Sequence, residues 1–174
     1  MNLQRVARIT RLLRSGSLRA AILPLIMALA WMPSATPAWA AAQRIVLSGG
    51  EYRVFGPPGS VTTAGPWTFI KDQPLTGTFV FGALSGTETQ LVNAKLDFAT
   101  GSGFVWGKVS YTDTASGVVC TGNLEGKLTA FLITGDIVAQ CSNGALLRGT
   151  LQDVTATPGV DVSSTFNGEL LDPH

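Results

Sequence analysis

Alternation of apolar and polar residues with a period of two runs through most of the chain and constrains its fold more than any other feature. The segment Val92–Phe98 alternates throughout, and one parity between Val118 and Leu132 is apolar while the other is polar. This pattern is typical of antiparallel strands with one buried and one solvent-facing side. Beyond residue 40, no stretch sustains the spacing of an amphipathic helix, so we predict an all-β fold.

Short turn sequences separate the alternating segments. Examples are Thr100–Gly103 and Thr134–Asp136, and Asn143–Gly144 suits a tight hairpin because both residues tolerate positive φ. Strands joined by short turns form a meander. We therefore predict a single-domain antiparallel β-barrel of about eight strands, with a β-sandwich as the alternative.

A short unit, apolar-x-Gly-x-apolar, recurs on the buried parity, with copies centred on Gly77, Gly107, Gly122, Gly126, Gly149 and Gly168. Glycine within a strand costs stability, so its repetition needs a structural reason. The missing side chain lets strands coil and approach each other closely, as a closed barrel requires. The alternative is that the glycines open space for a ligand. The first interpretation is favoured because small barrels are usually filled by side chains.

The first 40 residues have the organisation of a secretory signal peptide. Five arginines and no acidic residue lie in the first 19 positions, followed by the apolar run Ala20–Trp31 and an A-x-A sequence at Ala38–Ala40. The run is short for a membrane-spanning helix, which needs about 20 apolar residues. We predict cleavage after Ala40 and export to the periplasm or the exterior, with no membrane span in the mature chain. An uncleaved anchor helix is the alternative.

The predicted mature chain divides into two parts. Residues 41–66 form an N-terminal hairpin, with strands over 44–48 and 51–55, and a Pro/Gly-rich loop. Residues 67–174 form the barrel-like domain. Loss of the signal peptide leaves 7 basic and 11 acidic residues. Nucleic-acid binding needs a clustered basic face, so we predict no nucleic-acid partner.

Cys120 and Cys141 are the only cysteines in the chain. Export implies an oxidising compartment, and a single pair allows one intramolecular connectivity. We predict a disulfide that stabilises the fold by roughly 3 kcal/mol. The alternatives, a zinc site or a catalytic thiol, are disfavoured because no histidine lies nearby.

Residue types that carry catalysis are scarce. The only histidine is the terminal His174, which argues against a Ser–His–Asp triad, a Cys–His pair or a His-rich metal site. Asp97, Glu125 and Glu169 are candidate acid–base groups. Each lies among lysines and arginines on the polar parity, which is typical of a solvated sheet surface. We therefore predict no catalytic residue, no cofactor and no metal.

Aromatic residues provide the better indication of binding. Phe104 and Trp106 fall on the parity opposite Val105, so both faces of their strand are partly apolar. Either a second layer covers them or they form an exposed patch that meets a partner. Tyr111 and Trp67 complete the predicted ligand- or partner-binding residues.

The region Leu75–Leu171 resembles calycin-type and allene-oxide-cyclase-like small barrels, because its short Gly-containing strands are joined as a meander. Gly65-Pro66-Trp67 matches the G-x-W pattern of lipocalins. The resemblance implies an apolar-ligand cavity inside the barrel, and no functional residue is carried over from it.

These observations favour an exported, non-enzymatic β-barrel protein that binds a small apolar molecule or a protein partner. The first alternative is a cyclase- or isomerase-like barrel enzyme, whose cavity orients a reactive substrate. Such an enzyme requires a buried polar group, such as Tyr111 or an inward carboxylate. The second alternative is an envelope or matrix structural protein that assembles through sheet edges.

Overall fold

The computed structural model describes residues 43–173. Its strands are β1 Gln43–Phe55, β2 Ser60–Ala64, β3 Trp67–Phe81, β4 Leu84–Asp97, β5 Ser102–Asp113, β6 Val119–Thr129, β7 Leu132–Cys141, β8 Leu146–Thr157 and β9 Asp161–Asp172. From β2 to β9 each strand pairs with the next, and β1 pairs with both β9 and β3. The strands β1 and β3–β9 thus close an 8-strand antiparallel meander barrel, and β2 is one extra strand. The predicted all-β fold is confirmed, and of the two predicted architectures the structure has the barrel rather than the sandwich.

Strand β1 belongs to the barrel wall and contains no turn. The sequence predicted a hairpin over 44–48 and 51–55, and the structure instead has one continuous strand. Gly49 and Gly50, where the turn was expected, pair with β3 and β9. A Cβ on Gly49 would overlap the carbonyl oxygen of Val80. The absent side chain therefore permits the close approach of β1 and β3 that closes the barrel.

Strand β3 changes neighbours along its length. Its first half pairs with β2 and its second half with β1. The register shifts between Ile70 and Gln73, where Asp72 has a φ of 58°. This bulge inserts an extra residue, so that Ile70 and Gln73 both line the barrel interior. The Gln73 amide holds the loop after β1, because it accepts from the Gly59 N–H at 3.1 Å and donates to the Gly56 carbonyl at 3.3 Å.

The two ends of the barrel differ. One end, called here the open end, carries the loops 56–59, 98–101, 130–131 and 158–160. The main apolar core fills the other end, where the rings of Phe81 and Phe166 stack with centroids 4.1 Å apart. The predicted disulfide is confirmed: Cys120 and Cys141 lie opposite each other on β6 and β7 and are bonded.

Glycines of the recurring unit pack against close neighbours. A Cβ on Gly149 would lie 2.5 Å from Cζ of Phe166, and one on Gly168 would lie 2.6 Å from the same atom. The Phe166 ring therefore occupies space that two glycines leave free. None of the six glycines of the unit lines the cavity described below. These contacts support the packing interpretation over the cavity-making one.

Within residues 43–173, no helix is long and apolar enough to cross a membrane. The predicted signal peptide, its cleavage after Ala40 and the terminal His174 lie outside the described residues.

Candidate ligand cavity and its polar floor

A cavity of about 200 Å³ lies inside the barrel near the open end. Its walls are apolar and come largely from Ile70, Val92, Ala94, Leu96, Val105 and Leu128. An apolar cavity of about 150 Å³ holds a benzene molecule. The barrel therefore has room for a single ring with a short substituent.

Aromatic side chains border the mouth of the cavity. The rings of Phe98 and Phe131 have centroids 6.1 Å apart, and the two residues are 53% and 36% exposed. The Phe131 N–H donates to the Gly101 carbonyl at 3.1 Å. Ala130 and Phe131 have φ values of 51° and 65°, which non-glycine residues rarely adopt and which cost about 1 kcal/mol or more each. This strained turn holds the Phe131 ring at the mouth.

A buried polar cluster forms the floor of the cavity, and Arg53 is its centre. Nη2 of Arg53 donates to Oδ1 of Asp153 at 2.9 Å and to Oγ of Ser164, and Nη1 donates to Oε1 of Gln90 at 3.1 Å. Nε lies 3.3 Å from Oε1 of Glu51, without the alignment of a hydrogen bond. These residues come from β1, β4, β8 and β9. The cluster forms only when the barrel closes.

Two carboxyl groups, Glu51 and Glu88, lie behind Arg53. Oη of Tyr111 donates to Glu51 at 3.2 Å, and Nε2 of Gln90 donates to Glu88 at 3.3 Å. Burial, together with the neighbouring Glu51 carboxyl, raises the pKa of Glu88 to about 10. Burial also raises the pKa of Glu51, while Arg53 opposes that shift. Glu88 therefore keeps its proton at neutral pH, and the pair together carries less than its full negative charge.

Strand register explains how these side chains meet. Gly77 on β3 pairs with Arg53 of β1 on one side and with Glu88 of β4 on the other. Glu51 and Arg53 share the inward parity of β1, and Glu88 and Gln90 share that of β4. Gly77 has no side chain, so the charged groups of β1 and β4 face each other inside the barrel.

Sequence reasoning missed this cluster. Charged residues on a strand usually face solvent, and β1 was expected to form a separate hairpin. One signal was available: Glu88 and Gln90 share the parity of the apolar Val92, Ala94 and Leu96. Polar residues on an apolar parity point into the barrel, and buried polar groups need partners.

The structure separates the predicted binding residues into two locations. Phe104, Trp106 and Trp67 share the outer face of β3–β5, where Nζ of Lys95 lies 4.4 Å from the Trp67 ring centroid. Phe104 and Trp106 are 53% and 44% exposed, so nothing in the described part of the chain covers them fully. Tyr111 lies inside the barrel and is fully buried. Trp67 faces outward, away from the cavity.

The predicted carboxylates lie on the outer face of the barrel but differ in exposure, and Glu169 is only 8% exposed. Glu125 is exposed, and Asp97 caps its own turn by accepting from the Ala99 N–H at 2.9 Å. Glu169 accepts from Nε of Arg148 at 2.6 Å, and this contact and the neighbouring Arg44 lower the pKa of Glu169. Among residues 43–173, no group of three His, Cys, Asp or Glu side chains is arranged to hold a metal ion.

Neither a family model, a curated protein nor a solved structure matches the chain. The fold and the site define a disulfide-bonded 8-strand β-barrel with an apolar internal cavity, an aromatic rim and a buried polar floor.

Proposed function

We propose that this protein binds one small, mainly apolar molecule inside its barrel and acts as an exported binding protein. One observation carries the proposal: a cavity of about 200 Å³ with apolar walls lies inside the barrel near its open end. Well-packed interiors rarely contain voids larger than a water molecule. An empty apolar cavity of this size lowers the stability of the fold, and an apolar ligand that fills it would offset that cost.

The size of the cavity sets the expected affinity. A ligand that buries about 200 Å² of apolar surface gains roughly 5 kcal/mol, which corresponds to a dissociation constant near 0.2 mM. Loss of translational and rotational freedom opposes that gain. A simple hydrocarbon probe should therefore bind in the high-micromolar to millimolar range, and a natural ligand needs polar contacts to bind more tightly.

Export is part of the proposal. The first 40 residues have the organisation of a signal peptide. The Cys120–Cys141 disulfide is of the kind that persists in oxidising compartments. A binding protein outside the cytoplasm can capture or carry an apolar molecule that is poorly soluble in water.

Native mass spectrometry of the protein recovered from exporting cells, without reducing agent, tests the proposal. We expect a mass excess that disappears on denaturation, because a bound small molecule is released when the barrel unfolds. Ethylbenzene, added to the protein and followed by ligand-observed NMR, should show saturable binding. A bare protein that also fails to bind this probe would contradict the proposal.

Cavity-blocking variants locate the site. Ala94 lies buried in the cavity wall and Ala156 lies half-buried near the mouth. Ala94→Phe and Ala156→Trp should abolish probe binding while circular dichroism retains the β-sheet spectrum. Ala115→Trp, in an exposed turn at the opposite end, is the matched control and should bind like the wild type. Equal binding by all three variants would place the ligand elsewhere.

A cyclase- or isomerase-like enzyme is the second candidate, favoured by the inward carboxyls Glu51 and Glu88. Both lie behind Arg53, and Asp153 is the carboxylate that lines the cavity. Both oxygens of Asp153 already accept hydrogen bonds, so it has little capacity to act as a base. Incubation of the recovered ligand with the protein, followed by chromatography, separates the candidates. An unchanged ligand supports binding, and a new isomer supports an enzyme.

A protein partner is the other proposed occupant, and it would use the outer surface. Phe104 and Trp106 are exposed side by side on β5, and exposed aromatic residues are common in interface hot spots. Assembly through sheet edges has less support, because closure pairs both edges of most strands. Within the described part of the chain, β2 pairs on one side only.

A further inference from the structure

We propose that the cavity selects a neutral ligand with a carbonyl oxygen, which accepts hydrogen bonds from Arg53 and Gln90. This inference rests on the proposed function, because it names the ligand class of the same cavity. The floor that the ligand would meet consists of Arg53, Gln90 and Asp153.

The charges at the floor disfavour an anionic ligand. Arg53 is the only basic residue among those that line the cavity in the described part of the chain. Its guanidinium lies 2.9 Å from Asp153, 3.3 Å from Glu51 and 4.0 Å from Glu88. The positive charge is already matched by Asp153, and Glu51 and Glu88 behind it add no positive charge that could attract an anion. Burying an unmatched charge is costly, so a carboxylate ligand finds no favourable partner.

A cationic ligand is disfavoured for a related reason. Oδ1 of Asp153 accepts from Arg53 and Ser164, and Oδ2 accepts from the Ile133 N–H at 3.0 Å. Glu51 and Glu88 do not line the cavity. No carboxylate is therefore free at the floor to balance a positive ligand.

The floor of the cavity has two hydrogen-bond donors, Nη1 of Arg53 and Nε2 of Gln90, that each keep one hydrogen without an acceptor in the described part of the chain. Nη1 of Arg53 has two hydrogens and gives one to Oε1 of Gln90. Nε2 of Gln90 also has two, and gives one to Oε2 of Glu88 at 3.3 Å. No residue in 43–173 accepts the second hydrogen of either group. A guanidinium can only donate hydrogen bonds, so the oxygen of the Gln90 amide must face Arg53. The Nε2 group of that amide therefore faces away from Arg53.

Each acceptor at the floor already takes at least one hydrogen bond from the protein, and only Oε1 of Gln90 and Oδ2 of Asp153 keep a second lone pair. Oε1 of Gln90 accepts from Arg53, and the oxygens of Asp153 are engaged as described above. The other amide lining the cavity, Gln73, is committed to the backbone of the loop after β1. A ligand carbonyl can accept from the donors without needing an acceptor in return. A ligand hydroxyl could give its hydrogen only to an oxygen that already accepts from the protein, Oε1 of Gln90 or Oδ2 of Asp153, so it gains less from the floor than a carbonyl does.

Four probes with the same ring test this selection: acetophenone, 1-phenylethanol, ethylbenzene and phenylacetate. Their dissociation constants are measured by ligand-observed NMR at neutral pH on the disulfide-intact protein. Acetophenone should bind about fivefold to tenfold more tightly than ethylbenzene, because each hydrogen bond contributes modestly in net terms. 1-Phenylethanol should fall between them. Phenylacetate should bind at least about tenfold more weakly than acetophenone.

Gln90→Met identifies the donor. This variant removes the amide and keeps a side chain of similar length, so the advantage of acetophenone over ethylbenzene should fall to about twofold. The readout is the ratio of the two dissociation constants, because a change in cavity shape affects both probes and cancels in that ratio. Gln152→Met, on the exposed outer side of β8, is the matched control and should keep the full advantage.

A measurement on the wild-type protein covers the case in which Gln90→Met fails to fold. The infrared carbonyl band of bound ¹³C-labelled acetophenone should lie at a lower wavenumber than its band in hexane. The reason is that two hydrogen-bond donors polarise the C=O bond. An unshifted band would overturn the inference.

The outcomes distinguish this inference from the proposed function. Equal binding of ethylbenzene and acetophenone, or tighter binding of phenylacetate, would overturn the carbonyl preference and leave the apolar cavity as the binding site. Failure of all four probes to saturate would overturn the proposed function together with the inference.

Discussion

Replacing Glu88 with glutamine should clearly reduce the pH dependence of stability above mildly acidic pH. The pKa of Glu88 rises from an ordinary value of 4.5 to about 10 in the folded protein, because the group is buried beside Glu51. The folded state keeps a proton that the unfolded chain releases. The stability associated with that proton is therefore fully present below pH 4.5 and is lost as the pH rises toward about 10.

The size of the effect follows from this linkage. One proton bound only in the folded state changes the free energy of unfolding by about 1.4 kcal/mol per pH unit. Between pH 6 and pH 8 the wild-type protein should lose about 2.7 kcal/mol, or roughly 10 °C in Tm for a domain of this size. The pKa of Glu51 is also raised by burial, so Glu51 acts in the same direction. In the Glu88→Gln variant, the amide that replaces the carboxyl does not titrate.

Thermal unfolding by circular dichroism, without reducing agent, measures the effect between pH 5 and pH 9. The wild-type Tm should fall with pH, and the Tm of Glu88→Gln should change much less, whatever its absolute value. Glu125→Gln is the matched control, because Glu125 is exposed on the outer face of β6 and should leave the wild-type slope unchanged. A wild-type Tm that stays flat, or a Glu88→Gln slope equal to the wild-type slope, would refute the assignment of a retained proton to Glu88.

Three further predictions concern packing, the disulfide and the outer face. Gly149→Ala should destabilise the fold by about 1–3 kcal/mol, because the added Cβ would lie 2.5 Å from the Phe166 ring. Chemical denaturation measures this change. An unchanged free energy of unfolding would mean that the barrel tolerates wider strand spacing. Reduction of the Cys120–Cys141 bond, with a sequence separation of 21, should cost roughly 3 kcal/mol, seen as a lower Tm in dithiothreitol. Trp106→Ala should keep the wild-type Tm, since the side chain is 44% exposed. The variant should associate more weakly with a protein partner in sedimentation. Equal association would exclude Trp106 from that interface.

Local patterns sufficed to predict the antiparallel meander and the disulfide, but left a barrel and a sandwich as alternatives. Alternation identifies strands because side chains on successive residues face opposite sides of a sheet. The Gly-containing turns separate the strands because glycine tolerates the positive φ that tight turns need, as at Gly144 with a φ of 90°. The pairing of Cys120 with Cys141 needed only the count of cysteines. Each of these features lies within a short stretch of chain.

Strand β1 illustrates a local pattern that misled. Two adjacent glycines, Gly49 and Gly50, usually indicate a turn. Here they lie within a strand, where β3 and β9 approach from both sides. The choice between a turn and a close approach depends on which strands lie alongside, and these are distant in sequence.

The sequence by itself determined that the chain folds into antiparallel strands, the position of several turns between them, and that two cysteines pair, because these properties depend on neighbouring residues and on composition. Only the tertiary structure decided that Arg53 becomes the floor of a cavity. Its partners Gln90, Asp153 and Ser164 lie 37, 100 and 111 residues away in the chain. They surround Arg53 only after β1 joins β3 and β9, because closure of the barrel brings the inward faces of its strands together and removes them from water.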